Sequence, residues 1–190
     1  MPVEMEAKLK VDALDATRDK LRALRATPAG TRLETNTLYD TDAHSLLGKD
    51  KGLRLRVRRD LETGHEDAIL TFKGPRQPGP YKSREEIETH VNNPKAMGAM
   101  LVALGFKQAL SFEKRRESWE LDGCHIELDE IPHFGCFVEI EGFSAEAIAG
   151  MQRRLGLEGT EPIQTSYVAM LMDWLESQDQ SSRLVVFPRS

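Results

Sequence analysis

The stretch Val3–Val11 alternates without a break: Val3, Met5, Ala7, Leu9 and Val11 fall on one parity, and Glu4, Glu6, Lys8 and Lys10 on the other. Side chains of a strand point to opposite faces in turn, so this is a strand with one apolar face and one face carrying charges of both signs. A single strand of that kind fits an ordinary solvated face. Repetition tightens the constraint. Leu53, Leu55 and Val57 alternate with Arg54, Arg56 and Arg58, and a strand over 66–74 ends with Thr71 and Lys73 on its polar parity. Arg84, Glu86 and Glu88 share one face of 81–91, opposite Ile87 and Val91. The second half repeats the pattern: 111–121 carries Lys114 and Arg116, Cys124–Ile131 carries Glu127 and Asp129, and 134–141 carries Glu139 and Glu141.

With a further strand over 32–41, this makes about eight strands, mostly in consecutive pairs, with helices at intervals. Antiparallel strands with one apolar face need either helices packed over a sheet or a closed barrel, and closure removes the edges. A small barrel ordinarily fills its interior with apolar side chains. Here the charged faces are too rich for that, so they face water or line a hydrated tunnel.

The helices are marked by their caps and stripes. Asp12 and Asp15 resemble a capping box for a helix with Leu14, Thr17, Leu21 and Leu24 at helical spacing, stopped by Pro28-Ala29-Gly30. Asn93-Pro94 opens a second helix that Gly105 ends, with Met97, Met100, Leu101 and Leu104 as its core stripe. Ser144 caps a third that ends near Gly156, and 166–176 is a fourth with Val168, Leu171, Met172 and Leu175 inward. A polar loop runs through His44 to Gly52, a proline- and glycine-rich loop spans 75–80, and a polar linker over 178–183 leads to a tail, 184–187, that adds an edge strand or packs on a neighbour.

The chain of 190 residues is large enough for one domain with a substantial core. A net charge of -5 argues against a general nucleic-acid binder. Two cysteines, Cys124 and Cys136, form no disulfide framework, fit a reducing cytoplasm and fall on the apolar parity of their strands. No apolar run approaches the roughly 20 residues that span a bilayer, and no signal peptide opens the chain, so the expectation is a cytoplasmic protein with no membrane association.

The charges suggest chemistry. If 124–131 and 134–141 form a hairpin in the parity-matched register, Glu127 lies opposite Glu139, and like charges directly opposed are destabilising. A divalent cation resolves that conflict, and all-oxygen ligation suits Mg²⁺ or Mn²⁺. Arginines and lysines nearby suit phosphate oxygens. Carboxylates, a metal and many cations are the parts of phosphoryl transfer; the competing reading is a mutual salt-bridge network on a wet surface. Other chemistries find little footing. The five histidines lack ligand spacing, no Cys-x-x-Cys or Gly-x-Ser-x-Gly occurs, and Gly48–Gly52 lacks the Walker spacing.

In order along the chain, these segments resemble the motifs of the CYTH family, the triphosphate tunnel metalloenzymes, which include class IV adenylyl cyclases and thiamine triphosphatases. Glu4-x-Glu6-x-Lys8 resembles its opening E-x-E-x-K, and Asn36-Thr37-Leu38-Tyr39-Asp40-Thr41 its N-T-Y-F-D-T, with Leu38 in place of an aromatic. Leu53-Arg54-Leu55-Arg56 is similar to L-R-I-R, Thr71-Phe72-Lys73-Gly74-Pro75 to T-x-K-G-P, Arg84-x-Glu86-x-Glu88 to R-x-E-x-E, and Lys114-x-Arg116 to K-x-R. Leu128-Asp129 and Gly135-x-Phe137-Val138-Glu139-Ile140-Glu141 resemble the closing L-D and G-x-F-x-E-I-E, and Ser166-Tyr167 a motif on the terminal helix.

The resemblance implies an α+β fold: an eight-stranded antiparallel barrel over residues 1–177 with a charged polar interior, helices packed outside, and a tail over 178–190. It implies a monomer or homodimer acting on a small-molecule triphosphate with Mg²⁺ or Mn²⁺. Metal would be held by Glu4, Glu6, Asp129, Glu139 and Glu141, with Glu86 and Glu88 as further tunnel carboxylates. Phosphate would be bound by Lys8, Arg54, Arg56, Arg58, Lys73, Arg84, Lys114 and Arg116, with Lys73, Arg116 and Glu127 catalytic. The leading expectation is a phosphohydrolase; the others are an adenylyl cyclase and a non-catalytic nucleotide or polyphosphate binder. Leu38 and the scarcity of amides on the polar parities favour hydrolysis, since cyclisation also requires the base and ribose to be held.

Overall fold

A computed structural model describes residues 3–77, 82–178 and 183–188, with side chains described from residue 5 and, after the break at 78–81, from residue 84. The elements in chain order are β1 (Val3–Val11), α1 (Asp15–Ala23), β2 (Thr27–Asp40), β3 (Gly52–Asp60), β4 (Glu66–Lys73), β5 (Lys82–His90), α2 (Pro94–Ala103), β6 (Lys107–Leu121), β7 (Cys124–Ile131), β8 (Gly135–Glu141), α3 (Ala145–Arg154), α4 (Tyr167–Ser177) and β9 (Leu184–Val185). The sheet runs β2-β3-β4-β5-β1-β8-β7-β6, and a further pairing of β2 with β6 returns it on itself. All pairs in that ring are antiparallel. The ninth strand, β9, lies parallel to β6 at Ser111 and Phe112, so the tail does add a strand.

Closure sorts the side chains by parity. Outward residues of β1, β6, β7 and β8, among them Leu9, Trp119, Ile126, Leu128, Val138 and Ile140, form one core with Leu21 of α1 and Ile148, Met151 and Leu155 that follow from α3. A smaller outer cluster joins Tyr39 and Leu55 to Leu101 of α2. The third cluster lies inside. Leu38, Leu110, Phe112, Ile131 and Phe137 sit on the inward parity of their strands, and Leu171 and Leu175 of α4 pack against them. So α4 does not cover an outer face, as expected for every helix, but closes one end of the barrel with apolar side chains. Among the described residues no helix is long and apolar enough to cross a membrane.

Three local expectations are corrected. Asp12 and Asp15 form no capping box: Leu14 is the N-cap and makes no side-chain cap bond. The helix is held by burying Thr17 and Leu21, and tertiary packing of this kind outweighs capping in short helices. Pro28-Ala29-Gly30 does not stop α1. The helix ends at Leu24, Arg25 turns left-handed at φ 59°, and Pro28–Gly30 lie within β2, whose register against β6 slips between Pro28 and Thr31. On α2 only Leu101 of the expected stripe is buried, whereas Met100 is 57% and Leu104 72% exposed. Helical spacing identifies a stripe but not how much sheet lies beneath it, and the cluster under α2 is the smallest of the three. Asn93 caps α2 as expected, accepting the Ala96 N–H at 2.9 Å. Leu101→Ala should therefore cost about 2–5 kcal/mol, and Leu104→Ala should stay within about 0.5 kcal/mol, as read by urea unfolding; equal losses would reinstate the full stripe.

Candidate active site

The middle of the barrel is packed with charge rather than hydrocarbon. Glu34 and Asn36 of β2, Arg54 and Arg56 of β3, Thr71 and Lys73 of β4, Lys114 and Arg116 of β6, and Asp129 of β7 all take the inward parity set by the register. Asp129 is fully buried and collects three donors. Arg116 reaches it with Nε at 2.7 Å and Nη2 at 2.6 Å, Lys114 Nζ at 3.0 Å, and the Tyr167 hydroxyl at 3.2 Å. The same guanidinium also donates to Glu139 and lies 3.8 Å from Glu127. Glu34, 1% exposed, is the counterpart on β2: Arg56 stands at 3.3 Å and Lys114 at 3.6 Å. Arg56 Nε also donates to Asn36 Oδ1 at 2.8 Å. On the far wall Arg54 donates to Thr71 at 3.2 Å, Thr71 donates to Glu88 at 2.7 Å, and Lys73 pairs with Glu86.

Crowding of this kind moves protonation equilibria. Burial pushes the Glu34 carboxyl up, but Arg56, Lys114, Arg116 and Arg54 outweigh it and hold the group well below the usual range. Burial and the neighbouring Arg56 bring Arg54 down to about 10. Burial and Arg54 bring Lys73 down to about 8 against the pull of Glu86. Arg116 goes the other way: Asp129 and Glu139 overcome its burial and raise it. The Tyr167 hydroxyl is raised by burial and by Glu139 and Asp129, so it stays a donor.

Among the described residues, four buried polar atoms are without a hydrogen-bond partner: Arg32 Nε, Glu34 Oε2, Asn36 Nδ2 and Arg54 Nε. All lie on β2 and β3, facing the centre. Buried polar groups are ordinarily satisfied, so a concentration of orphans in one place marks where a further polar partner fits.

The carboxylate side has a matching feature. Glu127 is opposite Glu139, as parity predicted, and Glu6 is opposite Glu141. The Glu141 carboxyl is raised by burial and by Glu6, Glu127 and Glu86, against the pull of His125. Glu6, Glu127, Glu139 and Glu141 thus form an all-oxygen donor set on three adjacent strands, whose mutual repulsion a hard divalent cation would relieve. Among the described residues no three such groups already stand around a common point, so the set fits the chemistry of Mg²⁺ or Mn²⁺ without forming a finished cage.

Placement of the remaining expected residues is mixed. Lys8 is 1% exposed, with its Nζ 4.1 Å from the centre of the Tyr167 ring and donating to the Thr165 carbonyl. Arg58 points inward but is held by Asp67, with Nε at 2.9 Å from Oδ1. Arg84 lies opposite Glu4 in register, and the Glu4 side chain is outside the described residues. Glu34, Asn36, Ser118 and the Tyr167 hydroxyl went unrecognised as site residues. Ser118 donates to Glu127 at 2.5 Å. The alternation on 32–37 was open to detection, since Arg32, Glu34 and Asn36 share one parity, but Thr35 and Thr37 opposite them supply no apolar signal. Off this centre lie an outer groove between α2 and the β2–β3 pair, of about 600 Å³, and a cavity at the rim of β2, β3 and β4, of about 230 Å³.

Comparison with known proteins follows the same lines. The CYTH domain matches residues 2–162. Adenylate cyclase CyaB of Aeromonas hydrophila is 28% identical over 138 residues, which are 72% of this chain and 67% of that protein. Among solved structures, the PH1819 protein of Pyrococcus horikoshii superposes with a TM-score of 0.78 at 28% identity, over 90% of this chain and 99% of that one. The Hippeastrum protein HpAC1, whose structure was described as revealing a dominant triphosphatase activity, superposes at 0.68 with 22% identity, over 94% and 97%, and so speaks for the fold. With the match spanning most of the length, and the inward charges falling on a closed ring of strands, this chain belongs to the CYTH domain family.

Proposed function

We propose that the protein is a divalent-metal-dependent hydrolase of linear triphosphates. The observation that carries this reading is the set of orphaned donors on β2 and β3, Arg32 Nε, Asn36 Nδ2 and Arg54 Nε, beside cations that internal carboxylates neutralise among the described residues. A linear polyanion threaded there offers acceptors to Arg54, Arg56, Lys114 and Arg116 together, arginine through its bidentate fork. The unit that does this is residues 1–177, with 178–190 as a tail.

The division of labour follows from position. Arg54 and Arg56 from β3 face Lys114 and Arg116 from β6 across Glu34, so they clamp the anion from two walls. Arg116, fixed by Asp129, is already aimed where charge grows during P–O cleavage, and such preorganised donors lower the barrier without reorganising. Lys73, brought toward neutrality by burial, supplies a proton-bearing donor on β4. Glu127, held by Ser118, is the carboxylate placed to accept a proton from water. Glu6, Glu139 and Glu141 would hold the divalent cation, which when bound would supply charge neutralisation for phosphate oxygens and a lowered pKa for water. Asp129 is fully engaged by three donors and acts as counterion instead.

Hydrolysis is favoured over cyclisation by what the interior lacks for a base. Inward Leu38, Phe112 and Phe137 are all consumed in the apolar closure under α4, and the Tyr167 ring lies under Lys8. Among the described residues no inward aromatic is left at the centre to stack on adenine. Cyclisation remains the second reading because a relative at 28% identity is named an adenylate cyclase.

Tripolyphosphate should be turned over at least as well as ATP, with loss on chelation and recovery with Mg²⁺ or Mn²⁺. Chromatography of the ATP reaction decides the reaction type: ADP and phosphate support the proposal, and cyclic AMP with pyrophosphate as main products overturns it. Arg56→Ala should lower kcat/KM by the equivalent of about 2–5 kcal/mol, while Arg56→Lys recovers part of it because a point charge cannot make the forked contact. Unchanged kcat/KM in Arg56→Ala would remove this residue from the phosphate path. Protonated Lys73 is the competent form, so kcat/KM should fall as pH rises through about 8. Lys73→Arg, which stays charged, should move that alkaline limb upward; an unmoved limb would assign it to another group.

A further inference from the structure

Arg32, Ser118 and Glu127 form a chain of hydrogen bonds that can run in one direction only. Arg32 Nη2 donates to the Ser118 hydroxyl, and the same hydroxyl donates to Glu127 Oε2. A guanidinium has donors and no acceptor, and a hydroxyl has a single proton. With Arg32 on its lone pair, Ser118 must send that proton elsewhere, and Glu127 receives it. The register makes the chain local. Ser118 lies directly opposite Glu127 on β7, and Arg32 on β2 lies opposite Arg116, two residues before Ser118. Ser118 is buried, which keeps water from taking either place.

Glu127 is the inward carboxylate for which such a tether matters. Asp129, on the same strand, is fixed by Arg116, Lys114 and Tyr167. Among the described residues Glu127 accepts a hydrogen bond from Ser118 alone, with Arg116 Nε 3.8 Å from the same oxygen. Across the other ladder it faces Glu139, and like charges directly opposed repel. Ser118 holds Glu127 against that repulsion by Oε2 and leaves Oε1 open.

The charge of Arg32 does not account for its bond to Ser118. Asp60 stands opposite it on β3; the bonds that fix the β3–β4 turn occupy Asp60 Oδ1 and leave Oδ2 unoccupied among the described residues. Asp67 is held below its usual range by its bond to Arg58, against its burial, and His90 and Arg32 add to the effect. Two carboxylates therefore surround the guanidinium already. A hydroxyl carries no charge, so what passes from Arg32 to Ser118 is orientation.

We propose that Arg32 is a positioning residue for hydrolysis, acting through Ser118 to hold Glu127 with Oε1 free to take the proton of the attacking water. This rests on the triphosphate hydrolase reading above. In that step a water O–H bond breaks toward Oε1, and the water oxygen bonds to the terminal phosphorus. The electron pair of the severed P–O bond leaves with diphosphate. Arg32 touches none of these atoms, so its loss should act on kcat and spare KM.

The test is steady-state hydrolysis of linear inorganic tripolyphosphate with Mg²⁺ by the native protein, Arg32→Gln, Arg32→Lys, Ser118→Ala and the double variant Arg32→Gln with Ser118→Ala. Arg32→Gln, whose amide can accept as well as donate, should lower kcat about tenfold and leave KM within about threefold. Arg32→Lys, again a donor without an acceptor, should recover most of that loss. Ser118→Ala should lower kcat about tenfold or more, and the double variant should be no slower, since both substitutions cut one chain. An unchanged KM also shows that each variant is folded. Losses that multiply in the double variant make the two residues independent and overturn the chain. A rise in KM at constant kcat makes Arg32 a phosphate ligand through its orphaned Nε and overturns the proposal. Native kcat and KM in Arg32→Gln overturn it as well. If the native protein releases no phosphate from tripolyphosphate, the hydrolase reading has failed and takes this role with it, an outcome distinct from a working enzyme indifferent to Arg32.

Discussion

A carboxylate buried inside a barrel must be met by cations, and Glu34 and Asp129 are the two points at which this barrel satisfies that demand. Both are essentially inaccessible to water, and Lys114 touches both. Uncompensated, either charge would cost several kcal/mol so far from water. Compensated, each fixes the side chains around it: Asp129 sets Arg116 and Tyr167, and Glu34 sets Arg56. Ion pairs of this sort add little net stability, because desolvation consumes what attraction supplies. Stability comes instead from the outer cores under α1, α2 and α3, and the interior is left to be organised for binding.

This separation explains why the charged parity was readable in the sequence. A closed ring gives every strand the same inside and outside, so alternation in β1, β3, β7 and β8 reported one physical boundary. The Glu127–Glu139 opposition, expected if 124–131 and 134–141 formed a parity-matched hairpin, is found in the register. What failed to show itself depended on partners distant in sequence. Glu34 and Asn36 sit on a strand whose opposite face carries Thr35 and Thr37, so no hydrophobic alternation drew attention to them. The Tyr167 hydroxyl reaches Asp129 across 38 positions, and locally the sequence offered only the resemblance of Ser166-Tyr167 to a motif on the terminal helix. The slip in β2 ahead of Arg32 was hidden for another reason: nothing in Pro28-Ala29-Gly30 distinguishes a slipped strand from a helix stop. On α2 the limit was different again: Met100 and Leu104 obey helical spacing, but the sheet beneath reaches only Leu101 and its neighbours.

Leu38 illustrates how position alters the meaning of a departure from family pattern. Read along the chain, a leucine in place of an aromatic suggested a lost substrate contact. In the folded protein it is 8% exposed and packs with Leu110, Phe112 and Phe137 against α4. Its effect on substrate choice is therefore indirect. It belongs to the apolar layer that sets where the charged interior stops.

That layer also orders the interior electrostatically. Lys8 lies where the apolar closure meets the charged belt, over the Tyr167 ring and donating to the Thr165 carbonyl just before α4. Tyr167 in turn touches Phe137 edge-on, with ring centres 5.1 Å apart, while its hydroxyl holds Asp129. One residue thus joins α4, the apolar closure and the counterion of Arg116. Because α4 is amphipathic in this specific sense, apolar through Leu171 and Leu175 and polar at Tyr167, its docking completes the inner wall and orients the arginine in a single step. A barrel that formed without α4 would keep the outer cores, but it would expose Leu38, Phe112 and Phe137 to water and leave Asp129 with one donor fewer. Closure of the end and preparation of the site are consequently the same packing event.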